Sequence, residues 1–74
     1  FWAVYVPSDR PPLDAMREQL EQIDIAHRLI DKYPRELGLA LSVADIRRQE
    51  SQGRIASLLG IEGGHTIGNS LGTL

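Results

Sequence analysis

The chain of 74 residues is long enough for one small domain, and a domain of this size buries only about 60% of the surface that its unfolded form exposes. It has no cysteine, and its 42% hydrophobic and 24% charged residues are ordinary for a globular protein, which argues against a disulfide scaffold and against disorder. A net charge of −2 without a basic stripe argues against a nucleic-acid-binding protein, and no apolar run approaches the roughly 20 residues of a membrane-spanning helix.

The first half of the chain predicts a strand followed by a long helix. Residues 1–6 are dense in aromatic and β-branched side chains and end at a Pro-Ser-Asp loop signal, which is typical of a buried strand. From Leu13 to Tyr33 the apolar residues recur at steps of three and four, which predicts one stripe on an α-helix. A Pro-Pro pair before Leu13 suits the first turn, and Pro34 disfavours helical backbone at Tyr33. The stripe consists of Leu13, Met16, Leu20, Ile23, Ala26, Ile30 and Tyr33.

A shorter helix is predicted next. Residues 37–41 form either a short strand or an extended link. Ser42 followed by Asp45 resembles a capping box that opens a helix through about Gln52. Gly53 fits the left-handed position that follows a helix.

The remaining residues predict a second strand and the start of another helix. Residues 54–61 are a nearly continuous apolar run, too short for a helix and typical of a strand that is covered on both faces of a parallel sheet. Gly63 and Gly64 break this strand, and Asn69 or Ser70 could cap a further helix.

The element order is a βαβ crossover, which favours the α/β class with a parallel sheet. Two strands of the buried type need neighbours on their outer edges and helices over both faces. We therefore expect residues 1–74 to be one partial domain, truncated at both ends.

Glu62 is the candidate functional residue, because it stands where a buried strand meets a loop. In α/β sheets and barrels the carboxyl ends of the strands form the active-site face. The alternative is that Glu62 merely ends the strand or binds a neighbouring backbone amide. Tyr5 lies near the carboxyl end of the first strand, and it either lines a substrate pocket or packs as a core aromatic residue.

Three segments resemble the membrane (renal) dipeptidase family. Residues 61–65, Ile-Glu-Gly-Gly-His, resemble its Val/Ile-Glu-Gly-Gly-His segment, and the sequence on either side is also similar. Residues 1–7 are similar to its Phe-Trp-Ser-Val-Tyr strand, and residues 20–28 to its Leu-Glu-Gln-Met-Asp-Val-Val-His-Arg helix. The segments occur in the same order, so the resemblance covers most of the chain.

This resemblance implies a zinc metallopeptidase that hydrolyses dipeptides on a (β/α)₈ TIM barrel of the amidohydrolase type, of which the chain is a βαβ portion. It implies two zinc ions bridged by a glutamate that falls on Glu62, with a dipeptide substrate, and it allows a homodimer of the intact enzyme. The family's other ligands, a His-x-Asp pair and two histidines, lie outside this sequence. The resemblance assigns no catalytic residue beyond the metal ligand to this segment.

Four further positions qualify the resemblance. Ser8 stands where the family carries a disulfide-bonded cysteine, so that disulfide is in doubt, and Glu50 stands where an aromatic side chain is expected. His65, beside the glycine turn, is expected to make either a local hydrogen bond or one that supports a metal ligand, without itself binding metal. His27, between Ile23 and Ile30, is expected to be an interior or helix-contact histidine.

Two other functions compete with a dipeptidase segment. The first is a truncated, catalytically inactive interaction module whose exposed helix stripe binds a partner. The second is a different barrel hydrolase or a nucleotide-binding βαβ unit, but no Gly-x-Gly-x-x-Gly follows either strand, which argues against the dinucleotide version.

Overall fold

The computed structural model describes residues 1–74 and contains four strands and two α-helices. Two short 3₁₀ turns complete the structure. In chain order the elements are β1 (Trp2–Tyr5), α1 (Pro12–Lys32), β2 (Leu37–Leu39), α2 (Val43–Ser51), β3 (Ile55–Ser57), β4 (Leu59–Glu62) and the 3₁₀ turns Gly64–Ile67 and Leu71–Thr73.

All strand pairing is parallel, and α1 makes the crossover between the pairs. β1 pairs with β4, and β2 pairs with β3. The Leu58 carbonyl accepts from the Trp2 N–H at 2.8 Å, whereas the Ser57 carbonyl accepts from the Ala40 N–H at 2.9 Å. Successive carbonyls of an extended chain point to opposite edges, so β1 and β2 lie on opposite sides of residues 55–62. The predicted βαβ crossover and α/β class are confirmed.

The prediction of one strand over residues 54–61 is wrong. The run divides at Leu58 into β3 and β4, because its first half pairs with β2 and its second half with β1. It is also not covered on both faces, since Ile55 and Ile61 are 65% and 49% exposed. Residues 37–41 contain a strand, β2, rather than only an extended link.

Helix α1 has the predicted bounds, but its buried face follows the predicted apolar stripe only in part. Pro11 is its N-cap residue and Tyr33 its C-cap residue, as the prolines predicted. Leu13 and Leu20 of the predicted stripe are 71% and 53% exposed, whereas Ala15 and Gln19 are buried. Ile30 of the predicted stripe is buried, and the other buried residues of the helix are the small Ala15 and the amide Gln19. Neither this helix nor α2 combines the length and apolar character needed to cross a membrane.

Helix α2 is capped as predicted. The Ser42 hydroxyl accepts a hydrogen bond from the Asp45 N–H at 3.1 Å. The Asp45 carboxylate in turn accepts from the Leu41 N–H at 2.9 Å, one residue before the position expected in a capping box. Gly53 follows the helix with φ +73°, which confirms the left-handed conformation.

The prediction that Asn69 or Ser70 caps a helix is wrong. Asn69 is left-handed with φ +57°, and the Ser70 side chain makes no capping hydrogen bond. Only a three-residue 3₁₀ turn follows, and it contains Gly72, a poor helix former. The 3₁₀ turn Gly64–Ile67 was not predicted.

The core is small and lies between α1 and the strands. Val4, Val6, Ala15, Ile30 and Ala40 are its buried hydrophobic residues. In β1 Val4 is buried, whereas Ala3 and Tyr5, which point to the opposite face, are exposed, so this strand is buried on one face only. One face of the β1–β4 pair is therefore packed and the other is open.

Candidate functional site

Tyr5 and Glu62 are register partners at the carboxyl ends of β1 and β4. Opposed residues of parallel strands project to the same face of a sheet. The buried Val4 and Val6 belong to the other face, against which α1 packs. The two residues singled out from the sequence therefore lie side by side on the open face.

The Glu62 carboxylate is exposed and free of partners. It takes part in none of the salt bridges of the chain. No backbone amide donates to it, since the backbone N–H groups that bond to side chains reach Gln22, Asp45 and Ser42. Of the two alternatives, the amide contact is therefore wrong, and the alternative that Glu62 merely ends the strand stays open. No three His, Cys, Asp or Glu side chains of the chain come together to hold a metal ion. Among these residues Glu62 is an anionic donor without companion ligands.

His65 makes a hydrogen bond, but its partner follows the neighbouring strand and is not a local residue of the glycine turn. Its Nε2 is 2.7 Å from the carbonyl oxygen of Val6, the residue after Tyr5. A carbonyl only accepts hydrogen bonds, so Nε2 carries the proton. The ring packs over Gly63, where an added Cβ would lie 2.7 Å from both Nδ1 and Cε1 of the ring.

A buried polar contact joins the loop after Glu62 to helix α1. The Thr66 hydroxyl donates to the Gln19 side-chain oxygen, and both residues are buried. The same hydroxyl lies 3.4 Å from the Gly63 carbonyl oxygen. Since a buried hydroxyl or amide needs a partner, this contact fixes the loop against the helix.

The side chain of Gln22 on α1 bonds to the backbone at the end of β1. Its side-chain oxygen accepts from the Tyr5 N–H at 3.2 Å, and its Nε2 donates to the Tyr5 carbonyl at 2.7 Å. The sequence reasoning missed Gln19 and Gln22. The available signal was two amide side chains three residues apart, between Ala15 and Ala26 on one side of the helix, where solvent-exposed residues are not expected.

A pocket of about 200 Å³ lies beside the loop, but it is not at Glu62. Ile61 and Gly63, which flank Glu62, line it together with Gln19 and Thr66. Because alternate residues of a strand face opposite ways, this pocket opens on the α1 side of the sheet. It therefore gives no support to the candidate metal position.

The loop after β1 and the two departures from the family pattern are exposed to solvent. Ser8 and Glu50 are both exposed, so neither occupies a core position. Beyond Ser8, Arg10 donates to Glu18 at 3.1 Å and to Asp9 at 2.8 Å. The hydrogen bond with Glu18 is the largest cause of a raised Arg10 pKa. These contacts hold the loop at the surface of α1.

The expectation of an interior His27 is wrong. The residue is exposed and lies at the rim of an apolar groove that includes Phe1, Leu39 and Leu59. The residues that line this groove do not include Tyr5 or Glu62. The structure brings together Tyr5, Glu62 and His65 but leaves His27 apart.

The sequence model of the membrane dipeptidase family, peptidase family M19, matches residues 1–74. The chain belongs to the membrane dipeptidase family. Two curated relatives are also similar. One is the dipeptidase ataJ of Aspergillus terreus (strain NIH 2624 / FGSC A1156), which is 45% identical over an alignment 78 residues long. The alignment covers 95% of this chain and 19% of the relative. The other is the dipeptidase aclJ of Aspergillus oryzae (strain ATCC 42149 / RIB 40), which is 45% identical over an alignment 82 residues long. The alignment covers all of this chain and 19% of the relative.

The chain thus spans about a fifth of the length of these dipeptidases. The predicted resemblance to the membrane dipeptidase family is confirmed. Glu62, His65 and Tyr5 all lie within the residues that the family model matches, and the structure places them at the ends of two adjacent strands.

Proposed function

We propose that the chain is part of the catalytic (β/α)₈ barrel of a zinc-dependent dipeptidase. In this proposal Glu62 is the glutamate that bridges two zinc ions, and Tyr5 lines the pocket for the dipeptide. Membership of the membrane dipeptidase family supports the hydrolase class. The parallel pairing of β1 with β4, with α1 in the connection between them, supports the proposal because such a barrel is built from parallel strands and crossover helices.

The observation that carries the proposal is the free carboxylate of Glu62 at the carboxyl end of β4. This is the end of a barrel strand at which active sites lie. A carboxylate in a salt bridge would have to give up its partner to bind a cation, and Glu62 has none. Tyr5, its register partner, supplies an exposed ring beside it.

The donor chemistry of Glu62 fits zinc. Carboxylate oxygen is an ordinary zinc ligand, and its two oxygens allow one contact to each of two cations. The chain supplies no second ligand next to it, so the remaining ligands would come from other parts of the barrel. The chemistry that bound zinc supplies is Lewis acidity toward the attacking water and the peptide carbonyl. The part of this chain is to hold one anionic ligand and one wall of the pocket.

Changing Glu62→Gln in the complete dipeptidase tests this role. Gln keeps the size but offers one neutral carbonyl oxygen, so two cations would repel each other with less compensation. We expect zinc affinity to fall by more than the 10–100-fold that is typical of residues outside the ligand shell, with a parallel loss of kcat. Zinc content after dialysis and dipeptide hydrolysis are the measurements.

Glu50→Gln is the matched control, because Glu50 is also exposed but lies on α2. It should retain zinc and turnover. Full zinc content and near-normal hydrolysis in the Glu62→Gln enzyme would refute the bridging role.

The competing function, a catalytically inactive interaction module of the same fold, is favoured by the outer face of α1. Leu13 and Leu20 are 71% and 53% exposed there. The two functions differ in one measurable property of the complete protein. A protein that binds no zinc and does not hydrolyse dipeptides would be an interaction module.

A further inference from the structure

The hydrogen bond between His65 and Val6 lies next to the pair of residues proposed to meet zinc and substrate. Backbone pairing of β1 with β4 stops at Tyr5 and Glu62. One residue beyond Tyr5, the Val6 carbonyl takes a hydrogen bond from the ring of His65 across 59 residues of sequence. A side chain thus continues the connection between the strands where the backbone ladder ends.

The turn at Gly63 explains why a side chain is needed there. Gly63 has φ +92°, which leads the chain away from β1 and into the 3₁₀ turn Gly64–Ile67. Because the strand direction is lost, the backbone amides of the turn no longer face the Val6 carbonyl, and no backbone donor of the turn bonds to it. The His65 ring reaches back over this gap.

The ring is also seated directly on the backbone that follows Glu62. An added Cβ at Gly63 would lie 2.7 Å from Nδ1 and Cε1 of His65, so ring and glycine are in close contact. Any movement of the ring is therefore passed to Gly63, the residue bonded to Glu62. The ring is half-buried and Val6, the residue after β1, is fully buried, so both partners of the hydrogen bond are packed.

We propose that His65 is a positioning residue that fixes the Glu62 carboxylate relative to Tyr5 through the Val6 carbonyl and Gly63. This inference depends on the proposed function, since it assigns His65 a role toward the same metal ligand. His65 does not itself bind zinc or substrate in this proposal. Its contribution is the donor at Nε2.

Two substitutions of His65 test whether the hydrogen-bond donor at the position of Nε2, rather than the ring itself, is required. In His65→Gln the side-chain amide nitrogen takes approximately the place of Nε2 and can still donate to Val6. In His65→Asn the amide is one methylene shorter and does not reach. In the complete dipeptidase we expect His65→Asn to weaken zinc binding by about 10–100-fold and to lower kcat, with a smaller effect on KM. We expect His65→Gln to restore most of the zinc affinity.

His27→Asn is the matched control, because His27 is the other histidine of the chain and is exposed on α1. It should leave zinc affinity, measured by competition with a chelator, unchanged. A purely structural role for His65 predicts that Gln and Asn are equally harmful, and that result would overturn the proposal. Wild-type zinc affinity and kcat in His65→Asn would overturn it as well.

A measurement on the unmodified protein covers the case in which His65→Asn does not fold. Nitrogen-15 spectra of the ring in the zinc-free enzyme should show the proton on Nε2 of His65, held in a hydrogen bond. A proton on Nδ1 with a free Nε2 would overturn the proposal without any variant. If Glu62→Gln loses zinc while His65→Asn keeps it, only the positioning role fails; if Glu62→Gln keeps zinc, the proposed function itself fails.

Discussion

Gly63, the residue after Glu62, satisfies two requirements that no other residue type meets together. Its φ of +92° with ψ of 129° is a conformation that side chains rarely adopt. The place where a Cβ would stand is filled by the ring of His65. The sharp exit from β4 and the seat of the histidine thus depend on the same missing side chain.

We expect Gly63→Ala to destabilise the complete enzyme by about 1–3 kcal/mol, the usual cost of a strained backbone conformation. The added methyl group should also push the His65 ring off the Val6 carbonyl and lower zinc affinity. Urea unfolding and zinc competition are the measurements. Gly64→Ala is the control, because nothing lies within 4 Å of a Cβ added there and its φ is not positive.

Combining Gly63→Ala with His65→Asn separates the strain of the backbone from the clash between the added methyl group and the ring. The shorter side chain removes the clash but leaves the backbone strain, so the glycine substitution should cost less in the His65→Asn enzyme. Equal stability of Gly63→Ala, Gly64→Ala and the unmodified enzyme would contradict this account of the turn.

At the scale of single residues, part of the site follows from the sequence. A parallel strand that ends at Glu62 predicts the edge of the sheet that carries this residue, because the carboxyl ends of parallel strands meet at one edge, and Tyr5 follows in the same way. The partner of His65 could not be predicted, because Val6 is 59 residues away and the contact depends on the conformation of the turn. The inward amide of Gln22 was also missed, since its partner is backbone rather than a complementary side chain.

Among the elements, α2 has an N-terminus that is fixed by several side-chain hydrogen bonds. The Asp45 carboxylate accepts hydrogen bonds from the Leu41 N–H and from Arg48, and the Asp45 N–H donates to Ser42. The hydrogen bond from Leu41, followed by the charge of Arg48, lowers the pKa of Asp45. One carboxylate thus ties the end of the β2 segment to the first turn of the helix.

A lowered pKa in the folded state has a definite consequence for stability against pH. The stabilisation by ionised Asp45 is present above the pKa of the carboxyl in the unfolded chain, about 3.9, and is lost as the pH falls through the lower folded value. We therefore expect the free energy of unfolding to fall less steeply below about pH 4 in Asp45→Asn than in the unmodified enzyme. Urea unfolding at a series of pH values measures this slope.

Asp31→Asn serves as the comparison, because the Asp31 side chain is exposed and forms no salt bridge. Its acid-side slope should equal that of the unmodified enzyme. Identical slopes for Asp45→Asn and Asp31→Asn would mean that the carboxylate of Asp45 adds nothing to folding at acid pH.

The elements also show where sequence patterns stop being informative. The ends of α1 and α2 were predicted because proline, serine and glycine act locally on backbone dihedrals and hydrogen bonds. The division of residues 55–62 into β3 and β4 was not predicted, because an apolar run carries no information on which edge of each half has a partner. The buried face of α1 was misjudged for a related reason, since Gln19 is buried through a bond to Thr66 and not through its own hydrophobicity.

The whole molecule is more extended than a self-contained domain of its length. Its radius of gyration is 14.1 Å and its extents are 42 × 22 × 17 Å. A compact domain of 74 residues has a radius of gyration of about 11 Å. Only 10 of the 74 residues are buried, whereas Phe1, Leu41 and Leu71 are more than 80% exposed. The chain by itself thus leaves much of the apolar surface of its helices and strands exposed.

This exposed apolar surface leads to a prediction for the 74-residue chain produced by itself. Exposed apolar surface and strand edges promote self-association, so we expect oligomers or aggregates and a broad, weakly cooperative melt. We also expect no dipeptide hydrolysis at any zinc concentration, because a catalytic zinc needs about three protein ligands and the chain groups no three together. Light scattering, calorimetry and a hydrolysis assay across a zinc series are the measurements. A monomer with a sharp melt would show that the strands β1 to β4 need no neighbours, and zinc-dependent turnover would show that the chain holds a metal site that its side chains do not form in this structure.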